Sequence, residues 1–249
     1  MTPARALAIA ALLLASAWIH AARAQAGPPM ITNDPDTPGA GVWEINTAAT
    51  GGRTRDAWDF AAPDVDVNLG VGDRVQLSVH GAWQHVRADG APWSSGWGDV
   101  ELGARWRFLD DETDGVSMAV QPLWIKNWSS SARRRGLASE HAEYVLPVQI
   151  AHDLGTVAGG MEIARHFVAS EPDAWQIGAY VERDCFKASE CLGEIATEHT
   201  NGESTRTTLN FGGRVPLTTT LKLLASIGSE LSGEDRQQLV FYLGVQYVQ

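Results

Sequence analysis

Short runs of alternating apolar and polar residues recur along this chain from about residue 42 to its end. The apolar face of the clearest run, residues 99–109, consists of Val100, Leu102, Ala104, Trp106 and Phe108. Successive side chains of a strand point to opposite faces, whereas a helix would scatter these residues around its circumference. The runs around Val75 and before Tyr247 alternate in the same way. The pattern therefore predicts β-strands.

The alternating runs predict about twelve strands between residues 42 and 249. They begin near Val42, Ala62, Asp73, Trp97, Gly115, Glu140, Gly155, Ala174, Cys191, Thr205, Thr219 and Gln237. Most are close to the 9–11 residues that a tilted membrane strand requires. An even number of strands is usual for single-chain bacterial barrels. We therefore predict an all-β fold, an antiparallel up-and-down transmembrane β-barrel.

The connections and the aromatic residues support this prediction. Longer polar connections, at 51–61, 87–96, 127–139, 168–173, 200–204 and 231–236, alternate with shorter turns. Trp83, Trp124, Phe167 and Trp175 fall near the long-loop ends of their strands, and Trp43, Trp106, Phe108 and Tyr247 near the short-turn ends. Two aromatic girdles and unequal loops are typical of outer-membrane barrels. A soluble β-sandwich or lipocalin-like barrel also alternates, and it is the alternative fold.

The N-terminal part of the chain predicts export. Residues 1–26 combine Arg5, a long apolar run and small residues suited to cleavage, as a signal peptide does. Residues 27–41 form a Pro- and Asp-rich leader with no periodicity. It can be a periplasmic tail, a strap across the barrel mouth or a plug, and the tail or strap is favoured. No later segment has the roughly 20 apolar residues of a membrane helix, so a membrane location requires a closed barrel.

Charge and cysteine content restrict the possible partners. A formal net charge of −11 argues against nucleic acid, which needs a basic stripe. The one basic cluster is Arg133-Arg134-Arg135, in a Ser-rich loop. Cys185 and Cys191 of an exported chain are expected to form a local disulfide that caps a short turn. Two free thiols or a two-ligand metal fragment are the alternatives.

Motifs for catalysis or cofactor binding are not found. The segment Leu224–Gly228 lacks the first glycine of a Gly-x-Ser-x-Gly motif. His80 and His85 are separated by an odd number of positions, so on one strand they face opposite ways and do not form a zinc site. Glu162 and His166 share a face and are expected to be an ordinary polar pair. We expect no catalytic residue, no metal site and no cofactor.

The polar faces of the strands define the candidate functional surface, the lumen. The candidate lining residues are Asp66, Asn68, Gln76, His80, Asp99, Glu101, Arg105, Arg107, Glu162, Asn210 and Arg214. Acids and arginines on neighbouring strands can line a narrow polar path, as charged rings do in channels. They can equally pair across the lumen and close it. The sequence leaves both arrangements open.

Three passages carry a family resemblance. They are PPMITNDPDTPGAGVWEIN (28–46), PDVDVNLGVGDRVQLSV (63–79) and GWGDVELGARWRFL (96–109). Together they resemble an outer-membrane transporter family associated with the MetA pathway of phenol degradation. The resemblance covers most of the chain after the signal peptide. It implies an outer-membrane β-barrel that transports small solutes, with aromatic or hydrophobic compounds as a hint, and it supplies no functional residues.

These observations lead to one main functional expectation and two alternatives. The main one is a barrel in the outer membrane that lets small solutes cross by diffusion, with outer-membrane lipid and solutes as its partners. The first alternative is a barrel enzyme acting on lipid, which needs a Ser–His–acid cluster at the outer rim. The second is a closed structural or adhesive barrel whose Arg133–Arg135 loop contacts anionic lipopolysaccharide. The oligomeric state stays open.

Overall fold

A computed structural model describes residues 27–111, 113–186 and 189–249. The predicted signal peptide, residues 1–26, lies outside the described residues. The strands are β1 (Trp43–Arg53), β2 (Ala57–Val71), β3 (Val75–Ala88), β4 (Ser94–Asp111), β5 (Val116–Val120), β6 (Leu123–Lys126), β7 (Glu143–Asp153), β8 (Val157–Val168), β9 (Ala174–Phe186), β10 (Ser189–Thr200), β11 (Arg206–Pro216), β12 (Leu221–Ser232) and β13 (Leu239–Val248). One short helix, α1 (Ser130–Arg134), lies between β6 and β7.

The strands form one closed antiparallel sheet. Neighbours in the sequence pair with each other, and β1 pairs with β13 along its length, which closes the barrel. Strands β5 and β6 both pair with β4 and β7, so they are two halves of one barrel strand, interrupted at Gln121-Pro122. Pro122 has no N–H for the sheet, which explains the interruption. When β5 and β6 are counted as one, the barrel has twelve strands, as the sequence predicted.

Two predicted connections are much longer than the observed ones. Strand β2 begins at Ala57, five positions before the predicted start, and the predicted loops 51–61 and 87–96 shrink to 54–56 and 89–93. A bulge between Ala61 and Asp64 shifts the register of β2 against β3. A bulge adds one residue to a strand, so the positions that face outward change from even to odd or the reverse. The apolar–polar alternation is therefore interrupted at the bulge, although the strand continues beyond it. Among the connections on this side, only the one at 127–142 is long.

The outer face of the barrel is apolar and its inner face is polar. Exposed outward residues include Val79, Trp106, Ile163, Trp175 and Phe211. Buried polar residues, among them Asn46, Gln149, Glu162, Asn210 and Arg214, face inward. A water-soluble barrel would bury its apolar face instead. The distribution therefore matches a barrel whose outside contacts lipid and whose inside is hydrated.

No helix in the described part of the chain is long and apolar enough to cross a membrane.

The leader enters the barrel rather than hanging from it. Residues 27–41, named the plug segment from here on, place Thr32 and Asp34 fully within the lumen, at 0% and 3% exposure. Of the three possibilities that the sequence left open, the structure has the plug, and the favoured tail or strap is wrong. At the short-turn end of the barrel, Cys185 and Cys191 are joined by a disulfide with a Cα–Cα distance of 5.9 Å.

Candidate functional site

Glu194 holds the middle of the plug segment. One oxygen of its buried carboxylate accepts the backbone N–H of Ile31 and the other accepts that of Thr32, each at 2.8 Å. Asn210 of the neighbouring strand β11 donates to the same carboxylate at 3.0 Å. Hydrogen bonds to an ionised acceptor are about twice as strong as neutral ones. One glutamate therefore satisfies two backbone donors that the plug would otherwise bury unpaired.

Arg214 holds the start of the plug segment. Its Nε donates to the carbonyl oxygen of Pro28 at 3.0 Å, and its Nη1 lies 3.0 Å from Glu190 and 3.4 Å from Glu182. All three charged side chains are nearly inaccessible to water. A buried guanidinium requires such anionic partners, because an isolated charge in this position would be very costly. The pairing also aims the guanidinium at the plug backbone.

Arg105 and Arg107 hold the acidic part of the plug segment. Arg105 Nη1 donates to the Asp36 carbonyl oxygen at 2.7 Å and lies 3.4 Å from the Asp34 carboxylate. Arg107 pairs with the Asp36 carboxylate at 3.2 Å. Gln121 orients Arg105 by accepting from both Nε and Nη2. The plug is therefore fixed by polar contacts at three places along its length.

Wall glycines make room for the plug. A Cβ atom at Gly178 would overlap the side chain of Thr32, and one at Gly212 would lie 2.7 Å from Met30 Cε. Neither glycine needs its residue type for an unusual backbone angle, because no positive φ occurs at either position. At Gly178 the absence of a side chain is explained by the close approach of the plug. At Gly212 the backbone carbonyl oxygen of Ala225 on the neighbouring strand, at 2.5 Å, restricts the space as well.

Two polar cavities adjoin the plug. The first, of about 320 Å³, lies against β1 to β4, and the second, of about 480 Å³, lies at the short-turn end of β4, β5 and β7 to β9. Asp34 and Asp36 line both cavities, so the plug forms the partition between them. Oxygen Oδ2 of Asp34 is buried and has no hydrogen-bond partner among the described residues.

The second cavity is strongly acidic. Its lining carboxylates are Asp34, Asp36, Asp110, Asp111, Asp114, Asp153, Glu182 and Asp184. Arg183 and His152 are the basic side chains of that lining. A cleft lined by charges of one sign raises the local concentration of counter-ions. Arg105, Arg107 and Arg214 pair with four of these carboxylates, so the negative charge of this end rests mainly on Asp111, Asp114, Asp153 and Asp184.

A third cavity, of about 190 Å³, has a more apolar lining. Pro29, Met30 and Ile31 of the plug face Val240 and Tyr242 of β13 across it. Its volume corresponds to a few small molecules at most. It is the part of the lumen best suited to an apolar group.

The long connection 127–142 covers the opposite end of the lumen. Arg135 donates to the carbonyl oxygen of Ser95 at 2.8 Å, and Asn127 donates to that of Gly98. The buried side chain of Leu137 lies against the inward face of Gly96. The loop therefore folds toward the lumen at the long-loop end. Arg133 and Arg135 bind backbone carbonyls of this loop and of β4 rather than pointing freely outward.

The predicted lining residues divide into three groups. Asp66, Asn68, Gln76, His80, Glu101 and Arg105 line the first cavity. Glu162, Asn210 and Arg214 are buried inward, and Arg107 contacts the plug near the short-turn end. Asp99 lies apart from them, where its carboxylate accepts hydrogen bonds from Ser139 in the long connection. Ten of these eleven side chains are thus brought to the lumen or the plug.

The polar pair expected between Glu162 and His166 does not form. Glu162 accepts a hydrogen bond from Gln149 at 2.8 Å, and His166 contacts Glu143 of the neighbouring strand at 2.6 Å. Gln149 lies directly across from Glu162 on the neighbouring strand, and Glu143 lies diagonally across from His166, two positions along. Both kinds of cross-strand neighbour are nearer than side chains four positions apart on one strand. Cross-strand pairing therefore decides both contacts.

Several residues that hold the plug were missed by the sequence analysis. Glu182, Glu190, Glu194, Gln121 and Ser226 all face inward. The spacing of Glu190 and Glu194 by four positions, with Leu192 between them, places both on one face and could have indicated their direction. Asp34 and Asp36 gave no comparable signal, because the plug segment has no period.

The lipid-enzyme alternative required a Ser–His–acid cluster at the outer rim. His85 does contact Ser95 there, with 2.8 Å between Nδ1 and Oγ. Its Nε2 contacts the carbonyl oxygen of Ala62 rather than a carboxylate. His80 and His166 contact carboxylates on the inward side, away from that serine. In the described part of the chain, the hydrogen bonds of these histidines form no such relay.

Comparisons with known proteins address the fold. No family model matches the sequence, and no curated protein sequence matches it. The COG4313 outer membrane channel from Pseudomonas putida F1 is similar over 90% of this chain and 98% of that one, with 12% identity and a TM-score of 0.69. The NanC porin (82% and 99% covered, 10% identity, TM-score 0.59) and the KdgM porin (83% and 98%, 10%, 0.56) are also similar.

These likenesses identify the architecture. The chain has the fold of an outer-membrane β-barrel, in agreement with its apolar outer face and polar lumen. At 10–12% identity the solved structures show the fold alone.

Proposed function

We propose that this protein is a passive outer-membrane channel for small solutes, closed in the present conformation by the plug segment. The observation that carries the proposal is a lumen with two polar cavities that share Asp34 and Asp36 of the plug in their linings, the plug being held through hydrogen bonds and ion pairs. Displacing the plug would join them into one path.

The charge of the lumen favours small cationic or neutral polar solutes over anions. Four of the eight carboxylates of the second cavity are paired with Arg105, Arg107 or Arg214, and any solute crossing the barrel passes the other four. Those four are Asp111, Asp114, Asp153 and Asp184, for which the described residues provide no ion pair. Rings of acidic side chains select cations in other pores. The proposal therefore includes a preference for cations.

The family resemblance adds aromatic or other small hydrophobic solutes of the MetA-pathway type. The third cavity, with Met30, Ile31 and Tyr242 in its lining, is the feature that supports this narrower proposal. A hydrophobic solute would bind on the apolar side of the plug, before the acidic end.

Planar-bilayer recording of the purified full-length protein tests the proposal. We expect discrete conductance steps and a reversal potential that indicates cation preference in a salt gradient. Liposome swelling with neutral sugars of increasing size would then give the width of the path. A current no higher than that of a protein-free bilayer, together with no swelling, would reject the channel.

A further inference from the structure

A row of two arginines and a tryptophan crosses three neighbouring strands on the outer face of the barrel. Arg53 of β1 pairs in register with Trp58 of β2, and Trp58 pairs with Arg87 of β3. The Arg53 guanidinium carbon lies 5.3 Å from the Trp58 ring centre, and that of Arg87 lies 4.7 Å from the Trp93 ring centre. Strands in a sheet are about 4.8 Å apart, so the two arginine backbones are about 10 Å apart.

The row lies directly beyond the apolar belt, on the long-loop side. Toward the middle of the barrel it is followed by the stacked rings of Phe60 and His85, with centroids 4.6 Å apart. Closer still to the middle lies a further pair of outward-facing rings, Trp83 and Trp97, whose centroids are 5.5 Å apart. Tryptophan at such a position marks the boundary between hydrocarbon and headgroups. The two guanidinium groups are therefore at the level of lipid headgroups.

Both arginines keep their charge available. Among the described residues, no carboxylate lies within ion-pair distance of either guanidinium, whereas Arg105, Arg107 and Arg214 in the lumen all have such partners. Stacking on an aromatic face holds a guanidinium in place without using its N–H donors. The row is thus an ordered pair of cations with unsatisfied donors.

The same combination recurs around this rim. Lys126 lies 5.8 Å from the Trp124 ring centre, and Arg165 lies 4.6 Å from that of Trp175. All cation–aromatic contacts of the described residues are at the long-loop end of the barrel. Arg165 also pairs with Asp173 at 2.6 Å, which leaves the Arg53–Arg87 row as the less neutralised part of the rim.

We propose that Arg53, Trp58 and Arg87 form a binding site for the phosphate-bearing headgroup of a lipid in the leaflet on the long-loop side. Guanidinium groups bind phosphate oxygens through paired, charge-assisted hydrogen bonds. The apolar belt below the row would contact the acyl chains of the same molecule, so a lipid fits better than a soluble phosphate. This site is independent of the proposed channel, because it lies on the outer face of the strands and the channel lies on their inner face.

Native mass spectrometry of the full-length protein in detergent tests this site. The probes are a diphosphorylated glycolipid of the lipid A type, the same glycolipid without its phosphates, and inorganic phosphate. The double variant R53Q/R87Q removes both cations, and R55Q/R236Q removes two exposed loop arginines of the same rim as the matched control. We expect wild type and control to retain the phosphorylated glycolipid, and R53Q/R87Q to bind it about 10-fold more weakly.

Two further readouts keep the test decisive. Heat-modifiable gel mobility reports whether each variant is a folded barrel, and R53K/R87K, which keeps the charge but loses the planar donors, should bind with intermediate affinity. Equal binding of the phosphorylated glycolipid by wild type and R53Q/R87Q would overturn the proposal. So would equal binding of the two glycolipids, or full displacement by inorganic phosphate at matched concentration, which would indicate a simple phosphate site.

Discussion

The side chain of Thr32 occupies the space that a Cβ atom at Gly178 would need. Thr32 belongs to the plug segment, and Gly178 lies in the middle of β9, so the wall lacks a side chain where the plug is seated. The fit of the plug therefore depends on the wall as well as on the plug.

A larger residue at this point should displace the plug. We predict that G178V increases the mean conductance in planar bilayers several-fold, because valine and Thr32 cannot occupy the same space. The matched control is G193V on the neighbouring strand, where an added Cβ would meet only the Phe211 ring, at 3.5 Å. An unchanged current in a folded G178V barrel would show that the plug does not limit conduction.

Neutralising the carboxylate that holds the plug should have a similar but smaller effect. E194Q keeps the shape of the side chain but has one acceptor oxygen, so it loses the charge and can accept only one of the two hydrogen bonds from Ile31 and Thr32. Each charge-assisted bond is worth about 1.5–3 kcal/mol, so we expect roughly a 10-fold rise in the open fraction. E198Q, an exposed position on the same strand, is the control. If E194Q and E198Q have the same open fraction, Glu194 does not hold the plug in the membrane.

The acidic cavity should determine ion selectivity. D153N/D184N removes two carboxylates from its lining, and asparagine at position 153 can still accept the hydrogen bond from Gly155. We predict a reversal potential closer to zero in a potassium chloride gradient, because fewer negative charges attract potassium. D89N/E203N, which changes two exposed loop acids at the other end, should retain the wild-type value. The account of selectivity is contradicted if only the loop variant shifts the potential.

The disulfide should contribute little to the barrel. Cys185 and Cys191 are separated by six positions, and closing so short a loop restricts the unfolded chain by only about 2 kcal/mol. We predict that C185S/C191S is inserted and heat-modifiable like wild type, with only a small loss of resistance to urea. A variant that no longer reaches the outer membrane would show that the disulfide is needed for assembly.

The sequence predicted the barrel well because strand alternation is a local property. The faces of 99–109 and 239–247 follow from side chains two positions apart, and the structure has the same faces outward. The plug could not be predicted in this way. Ile31 meets Glu194 across 163 positions of sequence, and the three polar attachments appear only when the sheet closes. Bulges such as the one between Ala61 and Asp64 also reverse the faces without a clear signal in the sequence.

The most direct test of the central claim locks the plug to the wall. In the double variant T32C/G178C the two Cβ atoms would start about 3.0 Å apart, a little below the usual 3.5–4.5 Å of a disulfide, so a small shift allows the bond. Single-channel recording before and after reduction compares the locked and released states of one protein, with wild type under the same reductant as the control. The account predicts no conductance steps in the oxidised variant and steps after reduction. Equal steps in both states would show that solutes do not need the plug to move, and the absence of steps in both would show that the barrel is not a channel.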